Sequence, residues 1–433
     1  MPTTQSATLL DFLRHRHRGR IRLLVVCLAG LVAWLAIERL LADRRPVVVG
    51  LLHSITGADA PHEKPLLDAE VAALSELNAA GGLLGRPIRW VIADGGSDPQ
   101  AFARQAARLI RDEQACVLIG SWRTADRKAV VRVVESNDHL LVYPGLYEGL
   151  EQSPNVVYTG PIPNQFLGPA VHWLREDLAV KRFYLVGADD LWGRAVEAFA
   201  DDLIAGLGGE IVGRATIAND GDLASAVAAI TAGRTDAVIS TLEWPVTAQI
   251  SRTLRGAGVR AETLPILALP FGAPRFPARD SIAGIYTITA AGAGGAVLPG
   301  ADTAHADAGA VTAIRLWAQA VRDADTTDVR QVRDAMRHQS LATPDGILAV
   351  DPSTQHTWHR LSVARIRADG RLDGVSSSPT TALRPVPFPM SRSRAQWDQM
   401  TAALFRRWGG AWGRTTSPSA LPPAPTMDQG DSR

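Results

Sequence analysis

The sequence predicts an α/β protein of two doubly wound parallel-sheet lobes with a cleft between them, preceded by one N-terminal transmembrane helix. Short β-branched runs alternate with amphipathic segments at a spacing of about thirty residues, as in parallel strands joined by helices. This alternation begins at Pro46 and restarts near Lys181, which indicates two similar lobes. The uncharged apolar stretch from Leu23 to Ile37 precedes the first strand and indicates a membrane segment.

Composition indicates a globular protein and excludes several classes of partner. The chain has 433 residues, of which 46% are apolar and 21% charged, and its net charge is +1. Such a balance suits two or three domains with a real core, and it does not call for nucleic acid or an acidic partner. Cys27 and Cys116 lie in different predicted environments, so a disulfide between them is not expected, and neither belongs to a metal-binding pattern.

The N-terminal region predicts export. A basic cluster from Arg14 to Arg20 precedes the apolar segment, which orients residues 1–20 as a cytoplasmic arm and residues 21–42 as a transmembrane signal anchor. A cleaved signal peptide is the alternative, although Leu40-Leu41-Ala42 is a weak cleavage site. On the anchor interpretation, the protein crosses the inner membrane once and its folded body lies in the periplasm.

Lobe 1 is predicted over 46–164 with part of 265–335, and lobe 2 over 165–264 with 340–375. Strands of the two lobes are expected at 46–52, 88–93, 116–119, 140–142, 155–159, 181–186, 210–217, 237–242, 265–269 and 284–289. Glycine pairs such as Gly81-Gly82 and Gly208-Gly209 end the intervening helices.

The last part of the chain is less regular. A glycine- and alanine-rich loop is expected at 290–301, followed by two helices and by a hairpin that pairs 347–351 with 360–367. Residues 376–433 form a proline- and serine-rich tail, with an amphipathic helix expected within 392–413 and disorder from Ser417 onwards.

Polar and aromatic residues follow the ends of successive predicted strands. In open α/β sheets, ligands bind outside the carboxyl ends of the strands. Hydroxyls, carboxylates and a few aromatic side chains at that edge suit a small, polar, uncharged ligand. Each residue alone has the alternative of a turn or helix-cap role, whereas together they favour binding. The candidate set is Ser54, Thr56, Asp94, Ser97, Ser121, Trp122, Thr124, Tyr143, Tyr147, Asn164, Gln165, Asp189 and Glu243.

The motifs of several enzyme classes are missing from the sequence. It contains no G-x-S-x-G elbow, no phosphate-binding G-x-x-x-x-G-K-[ST] loop and no H-E-x-x-H pair. We therefore predict no catalysis, no cofactor and no metal site.

Pro46 to about Pro389 resembles the type I, leucine-binding-like, periplasmic solute-binding proteins of ABC transporters. It is most similar to the branch that binds urea and short-chain amides. The matching stretches are G-L-L-H-S-I-T-G at Gly50, E-L-N-A-A-G-G-L-L-G-R-P-I at Glu76, D-G-G-S-D at Asp94, G-S-W-R-T-A-D-R-K-A-V at Gly120, Y-P-G-L-Y-E-G at Tyr143, N-V-V-Y-T-G-P-I-P-N-Q at Asn155, R-F-Y-L-V-G-A-D at Arg182 and D-P-S-T-Q-H-T-W at Asp351.

The resemblance implies two lobes that close on a small-molecule ligand and an ABC permease as the partner. It assigns a first-lobe pocket and a first loop by position. The implied pocket residues are Ser121, Trp122, Thr124, Tyr143, Pro144 and Tyr147, and the implied loop residues are Ser54 and Thr56.

The sequence departs from the family pattern in four places. Asp126 stands where a small or hydroxyl residue is usual, and Leu146 stands where glutamine is usual. Glu243-Trp244-Pro245 replaces an N-G-D-like turn, and the glycine- and alanine-rich loop replaces a long aromatic segment. These departures alter much of the expected second-lobe contact set.

Three functions follow from the sequence. The first is a membrane-anchored receptor for a urea- or amide-like solute that feeds an ABC importer. The second is a sensory input module that binds the same solute and reports to a membrane partner. The third is a degenerate pair of lobes that acts only as an interaction scaffold.

Overall fold

The computed structural model describes residues 45–269, 282–290, 303–343, 346–376 and 381–413, together with Trp34. The predicted cytoplasmic arm, the remainder of the anchor, most of the 290–301 loop and residues 414–433 lie outside this part of the chain. Within the described residues, no helix combines the length and the apolar character needed to cross a membrane.

Strands and helices alternate through most of the described chain. The strands are β1 (Val47–His53), β2 (Ile88–Asp94), β3 (Val117–Gly120), β4 (Leu141–Tyr143), β5 (Val156–Tyr158), β6 (Arg182–Gly187), β7 (Glu210–Thr216), β8 (Ala237–Ser240), β9 (Ile266–Ala268), β10 (Tyr286–Ala290), β11 (Ser340–Thr343), β12 (Gly346–Ala349), β13 (Leu361–Ile366) and β14 (Leu372–Gly374). The helices are α1 (Ala60–Ala79), α2 (Pro99–Arg111), α3 (Thr124–Ser136), α4 (Pro163–Glu176), α5 (Leu191–Gly206), α6 (Asp220–Ala232), α7 (Trp244–Gly256), α8 (Thr303–Ala324), α9 (Val329–Met336) and α10 (Arg394–Arg407).

The first lobe is built on a parallel sheet with the strand order β2-β1-β3-β4-β5. One apolar cluster joins alternate strand residues to α1, α8 and α9, and another joins the opposite face to α2 and α3. Because both faces are covered, the strands are apolar almost throughout, as is usual in parallel sheets. The carboxyl ends of the strands remain free to carry polar side chains.

The second lobe is built on a sheet with the order β14-β13-β10-β9-β8-β6-β7. Strands β6 to β10 are parallel, whereas β13 runs antiparallel to β10 and to β14. Of the stretch 265–335, α8 packs on the first lobe and β9 and β10 lie in the second sheet. The predicted α/β fold of parallel sheets is thus confirmed.

The predicted hairpin between 347–351 and 360–367 is wrong. Strand β12 instead pairs with β11, and β13 joins the second sheet between β10 and β14. Only Pro344 and Asp345 separate β11 from β12, and a two-residue connection is the shortest route to an antiparallel pair. Strand β12 therefore pairs with its neighbour in the chain, and β13 pairs with strands of the second lobe.

Two chain segments lie side by side where the lobes meet. The Tyr158 amide donates to the Gln355 carbonyl at 2.9 Å, and the Thr357 amide donates to the Tyr158 carbonyl at 3.0 Å. The Gln165 side-chain amide donates to the Thr357 carbonyl at 2.9 Å. We call residues 155–165 and 351–359 the hinge pair. The H-T-W stretch, His356 to Trp358, therefore belongs to a structural junction.

The C-terminal helix α10 lies within the predicted 392–413 segment and packs against the second lobe. Trp397 is fully buried on Leu191 and Ala195 of α5 and on Leu150, and its indole N–H donates to the Pro389 carbonyl at 2.8 Å. Further along, Lys128 of the first lobe lies 4.7 Å from the centre of the Trp412 ring. This segment therefore contacts both lobes.

We expect Trp397→Ala to lower the free energy of unfolding by about 3–5 kcal/mol, because it removes a large, fully buried side chain. Calorimetric unfolding of the purified protein measures this change. Met390→Ala is the matched control, since Met390 lies in the same segment but is 92% exposed. Equal unfolding temperatures for the two variants would show that α10 does not contribute to the core.

Candidate functional site

The carboxyl end of β3 forms a strained turn at the centre of the candidate site. Gly120 has φ +127°, and a Cβ atom there would lie 2.2 Å from the Leu52 carbonyl oxygen, so glycine is required. Ser121 follows with φ +65°, which is uncommon for a residue other than glycine. Its amide donates to the same carbonyl at 2.8 Å. Its hydroxyl is fully buried and has no protein partner.

A buried histidine lies at the end of the neighbouring strand β1. His53 Nδ1 is 3.1 Å from a Glu63 oxygen, and Nε2 is 2.9 Å from a Glu70 oxygen. Both ring nitrogens face carboxylates, so both must donate, which makes the ring an imidazolium. Burial lowers the pKa of His53, but Glu70 and Glu63 outweigh it and raise this pKa to about 10. This cation fixes the two glutamates of α1.

Three buried acidic residues meet where α1 and α3 begin. Oxygens of Asp59, Glu63 and Asp126 all lie within 4.8 Å of one another, and we call this group the carboxylate corner. Arg123 donates from Nε to Asp59, whereas Asp126 Oδ2 and Glu63 Oε1 have no protein partner. Burial, with Glu63 and Asp59 nearby, raises the pKa of Asp126 to about 8. The corner thus retains unused hydrogen-bonding capacity.

Trp122 and Thr124 flank this corner and are half-buried. The Trp122 indole stacks parallel to the His62 ring, with the ring centres 6.3 Å apart. The Thr124 hydroxyl donates to a Glu148 oxygen at 2.8 Å. Trp122 therefore supplies a flat aromatic surface at the rim, while Thr124 connects α3 to the loop after β4.

Tyr143, Pro144 and Tyr147, which were predicted to line the pocket, are all buried, and both phenol rings pack around Arg127. The Arg127 guanidinium donates to Glu148 at 2.7 Å and to Glu151 at 3.0 Å. It also lies 5.0 Å from the Tyr143 ring centre and 4.3 Å from that of Tyr147. We call Arg127, Glu148, Glu151, Tyr143 and Tyr147 the arginine cluster. Protein contacts account for these two tyrosines, and their ligand contacts stay a prediction.

The arginine cluster continues into the hinge pair. Burial lowers the pKa of His356 to about 4, so its ring is neutral. Nδ1 lies 2.7 Å from the Thr354 carbonyl and must donate to it, which leaves Nε2 to accept from the Tyr147 hydroxyl. The His356 ring also stacks on Tyr158 at 4.2 Å. Tyr147 thus connects the first lobe to the segment that leads into the second.

In the second lobe, Asp189 and Glu243 have different surroundings. Asp189 accepts from Arg194 at 2.9 Å and lies 4.0 Å from Arg407, and hydrogen bonding and charge from Arg194 overcome burial to lower its pKa. Glu243 is half-buried at the start of α7. Burial lowers the pKa of Arg123, but Asp59 and then Glu243 outweigh it and raise this pKa. Glu243 therefore acts on the first-lobe residue that contacts the corner.

The predicted first loop serves structure as much as binding. The Thr56 hydroxyl donates to Asp94 at 2.7 Å, and the Ser54 hydroxyl accepts from the Ser97 amide at 3.1 Å. These bonds hold the ends of β1 and β2 together.

Sequence reasoning missed the carboxylates of the first turns of α1. The signal for them was spacing, because Asp59 and Glu63 are four residues apart, and Glu63 and Glu70 are seven apart, on one helical face. In the sequence, Asp126 is marked only by its departure from the family pattern.

Comparison with solved structures supports the fold. A leucine-binding protein from Thermotoga maritima superposes with a TM-score of 0.65 at 20% identity, covering 76% of this chain and 98% of that one. A branched-chain amino acid transporter substrate-binding protein from Streptococcus pneumoniae, solved with isoleucine, gives 0.66 at 18%, covering 78% and 100%. A solute-binding protein from Rhodopseudomonas palustris, solved with p-hydroxybenzoic acid, gives 0.67 at 17%, covering 77% and 97%.

Sequence comparison adds a partial match and a family. The chain is 27% identical over 99 residues to an amino acid binding protein from Pseudomonas aeruginosa, a match that spans 23% of this chain and 26% of that protein's length. The model of the periplasmic binding protein domain matches residues 47–291 and 300–394, which together make up most of the chain. On this match, the chain belongs to the periplasmic binding protein domain family, a class of solute-binding proteins rather than of enzymes.

Proposed function

We propose that this protein is an extracytoplasmic receptor for a small, polar, nitrogen-rich solute of the urea and short-chain amide class, which it delivers to an ABC importer. The predicted anchor at 21–42 would hold it at the inner membrane. A small-molecule ligand and a membrane permease are the partners on this proposal. Family membership supports binding and an extracytoplasmic location, whereas the ligand class rests on the site itself.

The observation that carries the proposal is the set of buried polar atoms without a protein partner. At the first-lobe edge these include Ser121 Oγ, Asp126 Oδ2 and Glu63 Oε1, and Glu70 Oε1 is a further one. Leaving such groups unpaired costs about 1–3 kcal/mol each, so a ligand that satisfies them gains affinity. Carboxylate oxygens accept from N–H groups, and the Ser121 hydroxyl can donate to a carbonyl oxygen. Urea and short-chain amides carry both kinds of group.

The charges at this edge disfavour a ligand that binds through a carboxylate. Two of the similar solved structures hold isoleucine or p-hydroxybenzoic acid, which both carry a carboxyl group. Among the described residues around the corner, Arg123 is paired with Asp59, Arg127 with Glu148 and Lys128 with Glu151. A carboxylate ligand would have to break one of these pairs.

The sensory alternative uses the same ligand and the same site. A permanent anchor favours it, because a shuttling carrier gains from free diffusion whereas a sensor gains from staying beside its membrane partner. The scaffold alternative requires no ligand at all, so a binding measurement separates it from the other two.

Thermal unfolding with a panel of solutes tests the ligand class. We expect urea, formamide or acetamide to raise the unfolding temperature, since a ligand at one hundred times its dissociation constant stabilises a protein by about 2.7 kcal/mol. Leucine and p-hydroxybenzoate are the comparison ligands and should give smaller shifts. If no solute shifts the transition at millimolar concentration, the receptor proposal fails and the scaffold remains.

Paired substitutions separate pocket residues from packing residues. Tyr143→Ala should lower the free energy of unfolding by about 3–5 kcal/mol, because the ring is buried against Arg127 and its hydroxyl donates to the Trp122 carbonyl. Trp122→Ala should change stability less and weaken binding of the active solute. Calorimetry with ligand titration measures both effects. A stable Tyr143→Ala protein without affinity would restore this tyrosine as a pocket wall.

Cell fractionation tests the anchor. We expect the full-length chain to remain with the inner membrane after high-salt washing, because salt screens surface charge but does not extract an apolar helix. A variant with residues 1–44 replaced by a cleavable secretory signal is the control and should be released with the periplasm. If the unaltered protein is instead released in a shortened form, its N-terminal segment is a cleaved signal peptide.

A further inference from the structure

We propose that, within the urea and amide class, the site selects a cationic member, a small planar amidinium or guanidinium, over the neutral amide. This inference rests on the proposed function, because it assumes that the first-lobe edge is a ligand site. It concerns the carboxylate corner of Asp59, Glu63 and Asp126 and the buried oxygens that the protein leaves unused there.

The carboxylate corner has acceptor oxygens that the protein does not use. Asp59, Glu63 and Asp126 are 2%, 0% and 2% exposed, so bulk solvent does not reach them. Arg123 uses Asp59, and His53 uses one oxygen of Glu63. The other oxygen of Glu63 and Oδ2 of Asp126 have no partner. Two N–H groups of one small ligand, placed between these carboxylates, would complete the arrangement.

The negative charge of the corner favours a cationic ligand. A neutral amide can donate N–H bonds to the corner but supplies no counter-charge, so the corner can ionise fully only at a cost. Buried charge is costly unless a counter-charge accompanies it. Glu63 and Glu70 share the single positive charge of His53, and Asp59 is paired with Arg123. A cationic ligand would supply the positive counter-charge that the ionised form of Asp126 lacks.

The chemistry of the corner favours a planar organic cation over a metal ion. Arg123 already places a guanidinium nitrogen against Asp59, so the corner accepts this chemistry from the protein itself. Planar N–H groups match carboxylates in a fork geometry, which favours amidinium and guanidinium. A divalent metal ion would have to displace Arg123 or bind beside two existing cations, Arg123 and His53. Their repulsion disfavours the metal.

The ionisation of Asp126 gives an independent readout. Burial raises its pKa to about 8, with Glu63 and Asp59 adding to the shift, Arg123 opposing it and Asp98 contributing less. In the empty site at neutral pH this carboxyl mostly carries a proton. A bound cation would favour the carboxylate and release that proton. Affinity for the cation should therefore increase as the pH rises through about 8, whereas affinity for a neutral amide should not.

Titration calorimetry with isosteric pairs tests the proposal on the purified protein. The pairs are urea with guanidinium chloride and acetamide with acetamidinium chloride, all at millimolar concentration and equal ionic strength. We expect the cation of each pair to bind at least about tenfold more tightly, since a hydrogen bond between charged groups is about twice as strong as a neutral one. Heats measured in buffers of different ionisation enthalpy should show proton release with the cations alone.

Two variants test whether the corner is responsible. Asp126→Asn should weaken cation binding about tenfold or more and leave urea binding nearly unchanged, because the amide keeps one acceptor oxygen but cannot ionise. Asp68→Asn is the matched control, since it makes the same change on the exposed face of α1. Glu63→Gln provides a second variant if Asp126→Asn unfolds, and calorimetric unfolding of each variant checks its fold.

Each result is decisive in one direction. Urea that binds as tightly as guanidinium, or cation binding that Asp126→Asn and Glu63→Gln leave intact, would overturn this inference and leave the proposed function standing. Loss of all binding by all four solutes would overturn the proposed function as well. Magnesium, calcium or manganese chloride that binds more tightly than guanidinium and is lost in Asp126→Asn would make the corner a metal site, against this inference.

Discussion

The buried guanidinium of Arg127 is the interaction on which the first-lobe edge depends. Its side chain has no exposed surface, and it lies between Glu148 and Glu151 on one side and two phenol rings on the other. Breaking a buried ion pair by removing one partner costs about 3–5 kcal/mol, because the remaining charge stays buried. The loop after β4 therefore cannot leave α3 without exposing or orphaning this cation. The position of the edge relative to the hinge pair follows from that constraint.

Arg127 and His53 divide the buried carboxylates of the lobe into two kinds. Arg127 and Lys128 hold Glu151 so firmly that, despite burial, its pKa falls to about 2. His53 binds one oxygen each of Glu63 and Glu70. The oxygens that accept from Arg127, Lys128 and His53 are committed to the fold, whereas the other oxygen of Glu63 has no protein partner. Asp126 has no such cation of its own, so burial raises its pKa to about 8.

The α/β alternation was predictable because it depends on local signals. Apolar runs such as Val117 to Ile119 have no polar face in any register, so only a doubly covered sheet accommodates them. The candidate site was only partly predictable. Trp122 is half-buried, whereas Ser121, Tyr143 and Tyr147 are buried although all four follow strand ends. A phenol after a strand end can face a cleft or pack inward, and Arg127 decides between the two through contacts that the sequence order does not reveal.

The motifs that suggested the urea and amide branch have a structural role. The Tyr147 hydroxyl of Y-P-G-L-Y-E-G donates to the His356 ring of H-T-W, and both rings stack on Tyr158. These residues therefore describe how the lobes are joined and carry little information about the ligand. On the proposed function, ligand chemistry would depend instead on Asp59, Glu63 and Asp126. Asp59 and Glu63 share one face at the start of α1, but no periodicity in the sequence places Asp126 of α3 beside them.

Carboxylates of the second lobe act on the cation beside the carboxylate corner. Glu243 and Asp190 of the second lobe both act on Arg123, which contacts the carboxylate corner of the first. Burial raises the pKa of Asp190 to about 6, so at neutral pH it adds negative charge to a region that is already acidic. Bringing like charges together opposes closure. Arg123 carries the positive charge that these second-lobe carboxylates share with Asp59, so the charge of the corner and the electrostatic interaction between the lobes depend on each other.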